Sequence, residues 1–286
     1  MSWIPYKMNE QIHIAEMYSF FKYYYDKNYY FPGEMHPFWE CVYVLEGSIC
    51  VTADNRLYKL TQGELIFHKP FEMHKFHIED DGVSTVVIFS FSAEGELCKK
   101  LSDKVFALNE NQKKLIKELL NYAESKAENQ TVDEIIIDMY LTPLKKDANY
   151  SQIVLTYLYR LMLSLNESAV VAHTNNSRDA GVFARAVEYM NECIYVNLSV
   201  DEIAYEVGVS TAGLKRIFSR HAGMGVHKFF LKLKLKFSLQ MLELGMSVTE
   251  VSDKLGFSSQ AYFSRVFKRE MGISPSTYTG EQKISI

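Results

Sequence analysis

The C-terminal third of the chain carries one phrase twice. Gly208-Val209-Ser210 leads to Leu214-Lys215-Arg216-Ile217-Phe218 and Gly223, and Gly256-Phe257-Ser258 leads to Phe263-Ser264-Arg265-Val266-Phe267 and Gly272. Leu214/Phe263, Arg216/Arg265, Phe218/Phe267 and Gly223/Gly272 share one offset of 49 residues, which defines an internal repeat. Each copy must therefore solve the same packing problem with the same apolar positions.

Both copies read as a helix-turn-helix. In the first, Ser199 caps a helix whose apolar positions Ile203, Ala204 and Val207 fall at helical spacing, with Asp201 and Glu202 at its positive N-terminus. Gly208 permits the turn, and a second helix from Ser210 buries Leu214, Ile217 and Phe218 while turning Lys215, Arg216, Ser219 and Arg220 outward. The second copy repeats the plan with Ser247 as cap, Val248, Val251 and Leu255 inward, and Gly256 at the turn. Its later helix presents Ser259, Gln260, Tyr262, Ser264, Arg265 and Lys268. Amide, hydroxyl and guanidinium groups on a helix are what a major groove can read. A lone helix-turn-helix pattern is common in ordinary cores, whereas two in register are far more specific. Between them, Val226 to Leu244 is apolar on two sides and so must be packed from two sides, as a strut between two reading heads.

These residues resemble the AraC/XylS family of bacterial transcription regulators. The resemblance covers about residues 180 to 280 and rests on Asp201-Glu202-Ile203-Ala204, Gly208-Val209-Ser210, Leu214 to Phe218, Gly256 to Lys268 and Gly272-Ile273-Ser274-Pro275-Ser276-Thr277-Tyr278. It departs from the family at Val251-Ser252, where Ile-Ala is usual, at Ser238 and Met241 in the strut, and at Lys234, a usual Arg position. Ala212-Gly213 replaces bulkier residues in the first reading helix, where glycine costs about 1 kcal/mol relative to alanine and offers no side chain to a base. The second head is therefore expected to read most of the sequence.

Composition agrees with a divided chain. Of 286 residues, 1 to 177 hold 17 Lys+Arg against 24 Asp+Glu, and 178 to 286 hold 14 against 11, so a net −7 precedes a net +3. A basic module behind an acidic one is expected when only the second meets phosphate. Cys41, Cys50, Cys98 and Cys193 lack CxxC or Cys/His ligand spacing, which leaves disulfides, structural zinc and cysteine alkyl-acceptor chemistry unsupported. No uncharged apolar run reaches membrane-span length and no signal-peptide order is found, so the expectation is a cytoplasmic protein with no membrane partner.

Upstream, the pattern changes to short runs: Phe38 to Leu45, Ser48 to Thr52, Leu57 to Leu60, Leu65 to His68, His74 to Ile78 and Thr85 to Phe91. Turn signals such as Glu46-Gly47, Asp54-Asn55 and Gln62-Gly63 separate them, which predicts a small antiparallel barrel or jelly roll able to enclose one small ligand. Through His36-x3-Glu40-x6-Gly47 and Gly63 to Pro70 followed by His74, this half is similar to the cupin-type sensor domain of the same family. The resemblance implies that in metal-dependent cupins positions like His36, Glu40 and His74 would hold a divalent ion, but Glu34 stands where the first histidine would be. The alternative is that these residues cap strands, hydrogen-bond turns or contact an organic ligand; no metal, cofactor or enzymatic activity is expected. Tyr18 to Phe31 contains nine aromatics, suited either to stacking on an amphipathic ligand or to core packing. Trp39 and His68 carry the same two readings.

Asn111 to Lys126 and Tyr150 to Leu165 read as helices with broad apolar faces, which by the resemblance form a dimer contact and otherwise pack on the barrel. Glu167 to Asp179 loses periodicity and reads as a linker.

The expected fold is α+β and multidomain: a cupin-like effector barrel over 1–108, a helical dimerisation region over 109–166, a linker over 167–180 and a double helix-turn-helix over 181–286. The expected function is a sequence-specific DNA-binding transcription regulator, an activator by resemblance, with a metal-dependent cupin enzyme fused to a DNA-binding module as the alternative. Lys215, Arg216, Gln260, Tyr262, Ser264 and Arg265 are expected to contact DNA, with Ser210, Thr211, Ser219, Ser258, Ser259 and Lys268 meeting phosphates. His36, Trp39, Glu40, His68, His74 and Tyr24 are expected to line the effector site. The expected partners are promoter or operator duplex DNA, a small molecule with sugars among the candidates, a second copy of the chain and, by resemblance, RNA polymerase.

Overall fold

The computed structural model describes residues 6–26, 29, 31, 33–78, 82–127, 139–165, 168–171 and 178–278. Six of its strands fall where alternation and turn signals place them: β2 (Trp39–Glu46), β3 (Ser48–Ala53), β4 (Arg56–Thr61), β5 (Glu64–His68), β6 (His74–His77) and β7 (Ser84–Glu94). Ahead of them β1 (His13–Tyr25) pairs antiparallel with β7, so most of the aromatic tract is a strand. With β8 (Val105–Ala107) and β9 (Ala169–Val171), the larger sheet has the order β1-β7-β2-β5-β8-β9. It faces a second sheet ordered β4-β3-β6. Between the sheets lies a core of Phe21, Val42, Val44, Ile49, Val51, Leu60 and Ile88.

Behind the larger sheet come a short α1 (Cys98–Leu101), α2 (Glu110–Lys126), a 3-10 turn at Thr142–Lys145, and α3 (Ala148–Ser164). Asn109 and Gln112 form a reciprocal capping box that starts α2, and Asp147 accepts from the first amides of α3. Their apolar faces are covered by the sheet, since Ile116, Leu119, Leu120, Val154, Leu158 and Leu161 share one cluster with Trp39, Cys41, Phe67 and Phe89. The breadth of those faces is thereby accounted for within one chain.

The stretch read as a linker is partly regular. Ala169–Val171 extends the large sheet by pairing with β8, and a helix begins at Arg178; residues 167 and 172–177 lie outside the described residues. That helix, α4 (Arg178–Glu192), buries Ala180, Phe183, Ala186, Val187 and Met190 at helical spacing.

The repeat folds as two helix-turn-helix units, α5 (Val200–Glu206) with α6 (Thr211–Ala222), and α8 (Val248–Lys254) with α9 (Gln260–Met271). Between them runs α7 (Val226–Glu243), which buries Phe229, Phe230, Leu233, Leu235, Leu239 and Leu242. Ser199 with Glu202 and Ser247 with Glu250 make matching capping boxes, and Gly208 and Gly256 take φ of +72° and +66°, a region side chains avoid.

Candidate nucleic-acid interface and effector cavity

On α6 and α9 the inward positions Leu214, Ile217, Phe218 and Phe263, Val266, Phe267 are buried. Amphipathicity then fixes what faces out. Lys215, Arg216, Ser219, Arg265 and Lys268 are exposed, and Ser264 and Tyr262 are half-buried, with Tyr262 set 6.1 Å from Phe257. Several of the short side chains also hold the helices in shape. Ser210 caps α6 by accepting from the Gly213 amide at 3.1 Å, and Ser259 caps α9 by accepting from the Tyr262 amide at 3.1 Å. The Thr211 hydroxyl donates to Asp201, and Thr249 donates to the Gln260 amide oxygen at 3.0 Å, each tying a later helix to its predecessor. Ser258 is exposed in the turn before α9.

The two units are fixed through α7. The Lys234 ammonium, 3% exposed, donates to the carbonyl oxygens of Val196 (2.8 Å) and Leu255 (2.6 Å) and to Asn197 Oδ1 (3.2 Å), joining the loop before α5 to the end of α8. Burial pushes its pKa down to about 8.

The barrel holds a polar cluster. His74 Nε2 lies 3.4 Å from Glu40 and 3.5 Å from Glu34, and His36 Nε2 lies 3.7 Å from Glu40 and 3.9 Å from Glu34. Both rings are held from behind, because His36 Nδ1 meets Phe38 O at 2.9 Å and His74 Nδ1 meets Glu72 O at 2.9 Å. The Nδ1 protons are thus assigned to carbonyls, and both Nε2 atoms point at the carboxylates. Ser90 donates to Glu40 at 3.1 Å and is itself 2.7 Å from Ser19. Burial raises the Glu40 pKa, but the two imidazoles of His36 and His74 beside it outweigh burial and hold the carboxyl well below its usual range. His74 is opposed by burial too, and Glu34 and Glu40 push its pKa well above the usual value.

Glu34, His36, Glu40 and His74 bring four ligand atoms within 4.8 Å of one another, and neither Nε2 has a hydrogen-bond partner of normal geometry among the described residues. Two imidazole nitrogens and two carboxylates fit a divalent cation. Such an ion would supply a fixed positive charge able to hold ligand oxygens. Glu34, which stands at the position of the motif's first histidine, lies between β1 and β2, and an isolated bridge with His74, with bonds of 2.9 and 3.0 Å, brings it in.

Beside the cluster is a cavity of about 190 Å³, lined by Tyr18, Phe21, Tyr25, Tyr29, Phe31, Phe38 and Phe76 with Glu34, His36, Glu40 and Ser90. The aromatic tract therefore does contribute to it. Tyr30 lies outside the described residues. Two expected lining residues face elsewhere, because neighbours on a strand alternate sides. Trp39, next to Glu40, is buried against the α2 and α3 cluster, and Tyr24, next to Tyr25, is 53% exposed. His68 sits one layer back, stacked on His74 at 4.3 Å and bonded to Glu72 at 2.7 Å.

Comparison with known proteins matches these two regions separately. A helix-turn-helix domain model matches residues 196–281 and a cupin domain model matches residues 23–91. The Msm operon regulatory protein of Streptococcus mutans is 29% identical over 127 residues, 43% of this chain and 46% of that one. The uncharacterized HTH-type transcriptional regulator YidL of Escherichia coli is 33% identical over 97 residues, 32% of this chain and 33% of that one. A transcriptional regulator from Chromobacterium violaceum, described as having an AraC-type DNA-binding domain, is 32% identical over 35% of this chain and 91% of the solved one, with a TM-score of 0.34. The chain spans less than half the length of the two curated relatives. It is a two-domain chain of α+β architecture. More particularly, it carries an AraC-type helix-turn-helix domain behind a cupin domain.

Proposed function

We propose that the chain is a sequence-specific DNA-binding transcription regulator whose cupin barrel takes a small-molecule effector. The observation that carries this is the pair α6 and α9, equivalent in the repeat, each buried on one side and exposing Lys215 and Arg216 or Arg265 and Lys268 on the other. The printed names of the relatives, an operon regulatory protein and transcriptional regulators, support it. The cavity and its carboxylate–imidazole cluster supply the effector site, for which a sugar is one suitable class because aromatic faces and acceptors recognise polyols. Action as a homodimer, activation through RNA polymerase and a cytoplasmic location complete the reading. Among the described residues no helix is long and apolar enough to cross a membrane.

Selection of bound sequences from random duplex DNA, with and without candidate small molecules, tests this directly. A defined motif is expected, with half-site spacing that reports the dimer; recovery of no preferred sequence refutes it. The four-residue cluster favours one second reading, a metal-dependent cupin enzyme fused to the DNA module. Elemental analysis after purification without chelator separates the two, since metal catalysis requires stoichiometric metal.

A further inference from the structure

The strand β6 has two working faces. Its residues alternate, so His74 and Phe76 turn toward the cavity while Lys75 and His77 turn to the helical domain. Lys75 is 4% exposed, and its ammonium donates to the carbonyl oxygens of Ser219 (3.1 Å) and Arg220 (2.8 Å) near the C-terminal end of α6. That end of a helix carries unpaired carbonyls and partial negative charge, so a buried cation is well placed there. The His77 ring lies 6.3 Å from that of His221, which is 1% exposed. Around this contact Met35, Leu57 and Met73 of the barrel share one apolar core with Phe183, Phe218 and Ala222, and Lys236 of α7 pairs with Asp54 at 2.8 Å. The approach is close enough that a Cβ on Gly33 would stand 2.3 Å from the Ala222 carbonyl oxygen.

The same short segment thus touches both sites. Gly33 abuts α6, and Glu34, the next residue, belongs to the cavity cluster and is bonded to His74 through both backbone groups. Lys215 and Arg216 stay exposed in this docked arrangement, so the barrel grips the end of the helix without masking its reading face.

We propose that the outer face of β6, with Gly33, is a docking surface for the first reading helix, and that it couples the cavity cluster on its inner face to the position of that helix. The proposal rests on the regulator reading for its purpose, though the coupling is a property of the fold. A ligand that draws on Glu34 or His74 would then move the first head relative to the barrel, and DNA binding by that head would bias the cavity in return.

Amide hydrogen exchange on the full chain tests this without knowledge of the ligand. Lys75→Met keeps the buried stem and removes the donor, whereas Gly33→Ala wedges the interface but also strains a φ of +72° beside Glu34 and meets the His74 carbonyl, so only its effect on α6 is diagnostic. In Lys75→Met, exchange at residues 219–223 and at Glu34 and His74 should rise together by about tenfold or more, the loss of two hydrogen bonds from a charged donor, and in Gly33→Ala exchange at 219–223 should rise. From the other side, Glu40→Gln should speed the His74 amide and those of 219–223 together. Lys215→Ala, on the exposed face, should change neither set. Faster exchange at 219–223 with Glu34 and His74 at wild-type rates in Lys75→Met, or the converse in Glu40→Gln, overturns the coupling. Should Lys75→Met fail to fold, Glu40→Gln decides the matter. Failure of the DNA selection would remove the regulator reading and leave these exchange rates as they are.

Discussion

Ser252 stands on α8 where the resembled family carries alanine, it is 0% exposed, and its hydroxyl has no hydrogen-bond partner among the described residues. An unpaired buried hydroxyl costs about 1–3 kcal/mol. Replacing Ser252 with alanine removes that cost and adds about 0.5 kcal/mol of helix propensity. Against this stands the packing that one oxygen atom supplies, about 0.5–1 kcal/mol. The net expectation is a gain of about 1.5 kcal/mol. Spread over the roughly 100 residues of the helical domain, whose unfolding entropy is about 0.2 kcal/mol per degree, it corresponds to about 7 °C in Tm. Thermal unfolding of the full chain followed by circular dichroism, with a guanidinium titration to check that the m value is unchanged, reads it directly. Ser252→Thr is the companion variant, since it adds a methyl group at a fully buried position and should lower Tm. If Ser252→Ala is no more stable than the native chain, the hydroxyl is not unpaired and the reasoning fails.

Arg265→Ala should weaken binding to a selected DNA sequence by about 1–3 kcal/mol and relax the preference at one base pair, whereas Lys268→Ala should weaken all sequences alike and flatten the salt dependence; equal affinity for native and Arg265→Ala proteins removes Arg265 from the interface. His221 is held down to about pH 4, first by burial and then by the charges of His77 and Arg220, with Lys75 adding and Asp179 opposing. The unfolded ring binds its proton near pH 6.5, so between pH 6.5 and 4 the unfolded state holds more protons and stability falls on acidification, by about 2–3 kcal/mol; His221→Phe should flatten that slope in pH-dependent unfolding. A divalent cation such as Ni²⁺ should raise the Tm of the native chain and not that of His36→Ala, and an equal shift in both would place the ion elsewhere.

How far the sequence reveals this architecture depends on which physical signal each part leaves. Strands β2 to β7 were legible because alternation and turn residues coincide, and the helical repeat because its apolar spacing and glycines recur at one offset. Strand β1 left a weaker signal: Glu16, Ser19 and Lys22 do not fall on one alternating face, and Tyr23, Tyr24 and Tyr25 run consecutively with no polar residue between them to set the phase. The cavity face was missed at Trp39 and Glu40, neighbours that the sequence reading placed in the site together: Glu40 is buried beside two imidazoles, and alternation sends Trp39 to the opposite side. Glu34 was placed only through the resemblance, at the position of the motif's first histidine, because its isolated bridge to His74 depends on where the chain passes and on no local pattern.

Two lysines mark the remaining limit. In sequence, Lys75 in a short strand and Lys234 at a usual Arg position of the strut carry no local sign of a buried partner, since lysine is usually solvated. In the fold both are nearly fully buried, and each spends its protons on carbonyl oxygens at a helix end, Lys75 on Ser219 and Arg220 of α6 and Lys234 on Leu255 after α8. Helix ends are where a buried ammonium finds both acceptors and a favourable field, which offsets a desolvation that would otherwise expel it. The placement also has a consequence for function. A grip on the helix end fixes position while leaving the outward face of α6 exposed, so Lys75 ties the barrel to the first helix-turn-helix without covering Lys215 and Arg216. Docking and exposure then draw on different parts of one helix, so in the proposed regulator the barrel contact leaves the outward side of α6 open.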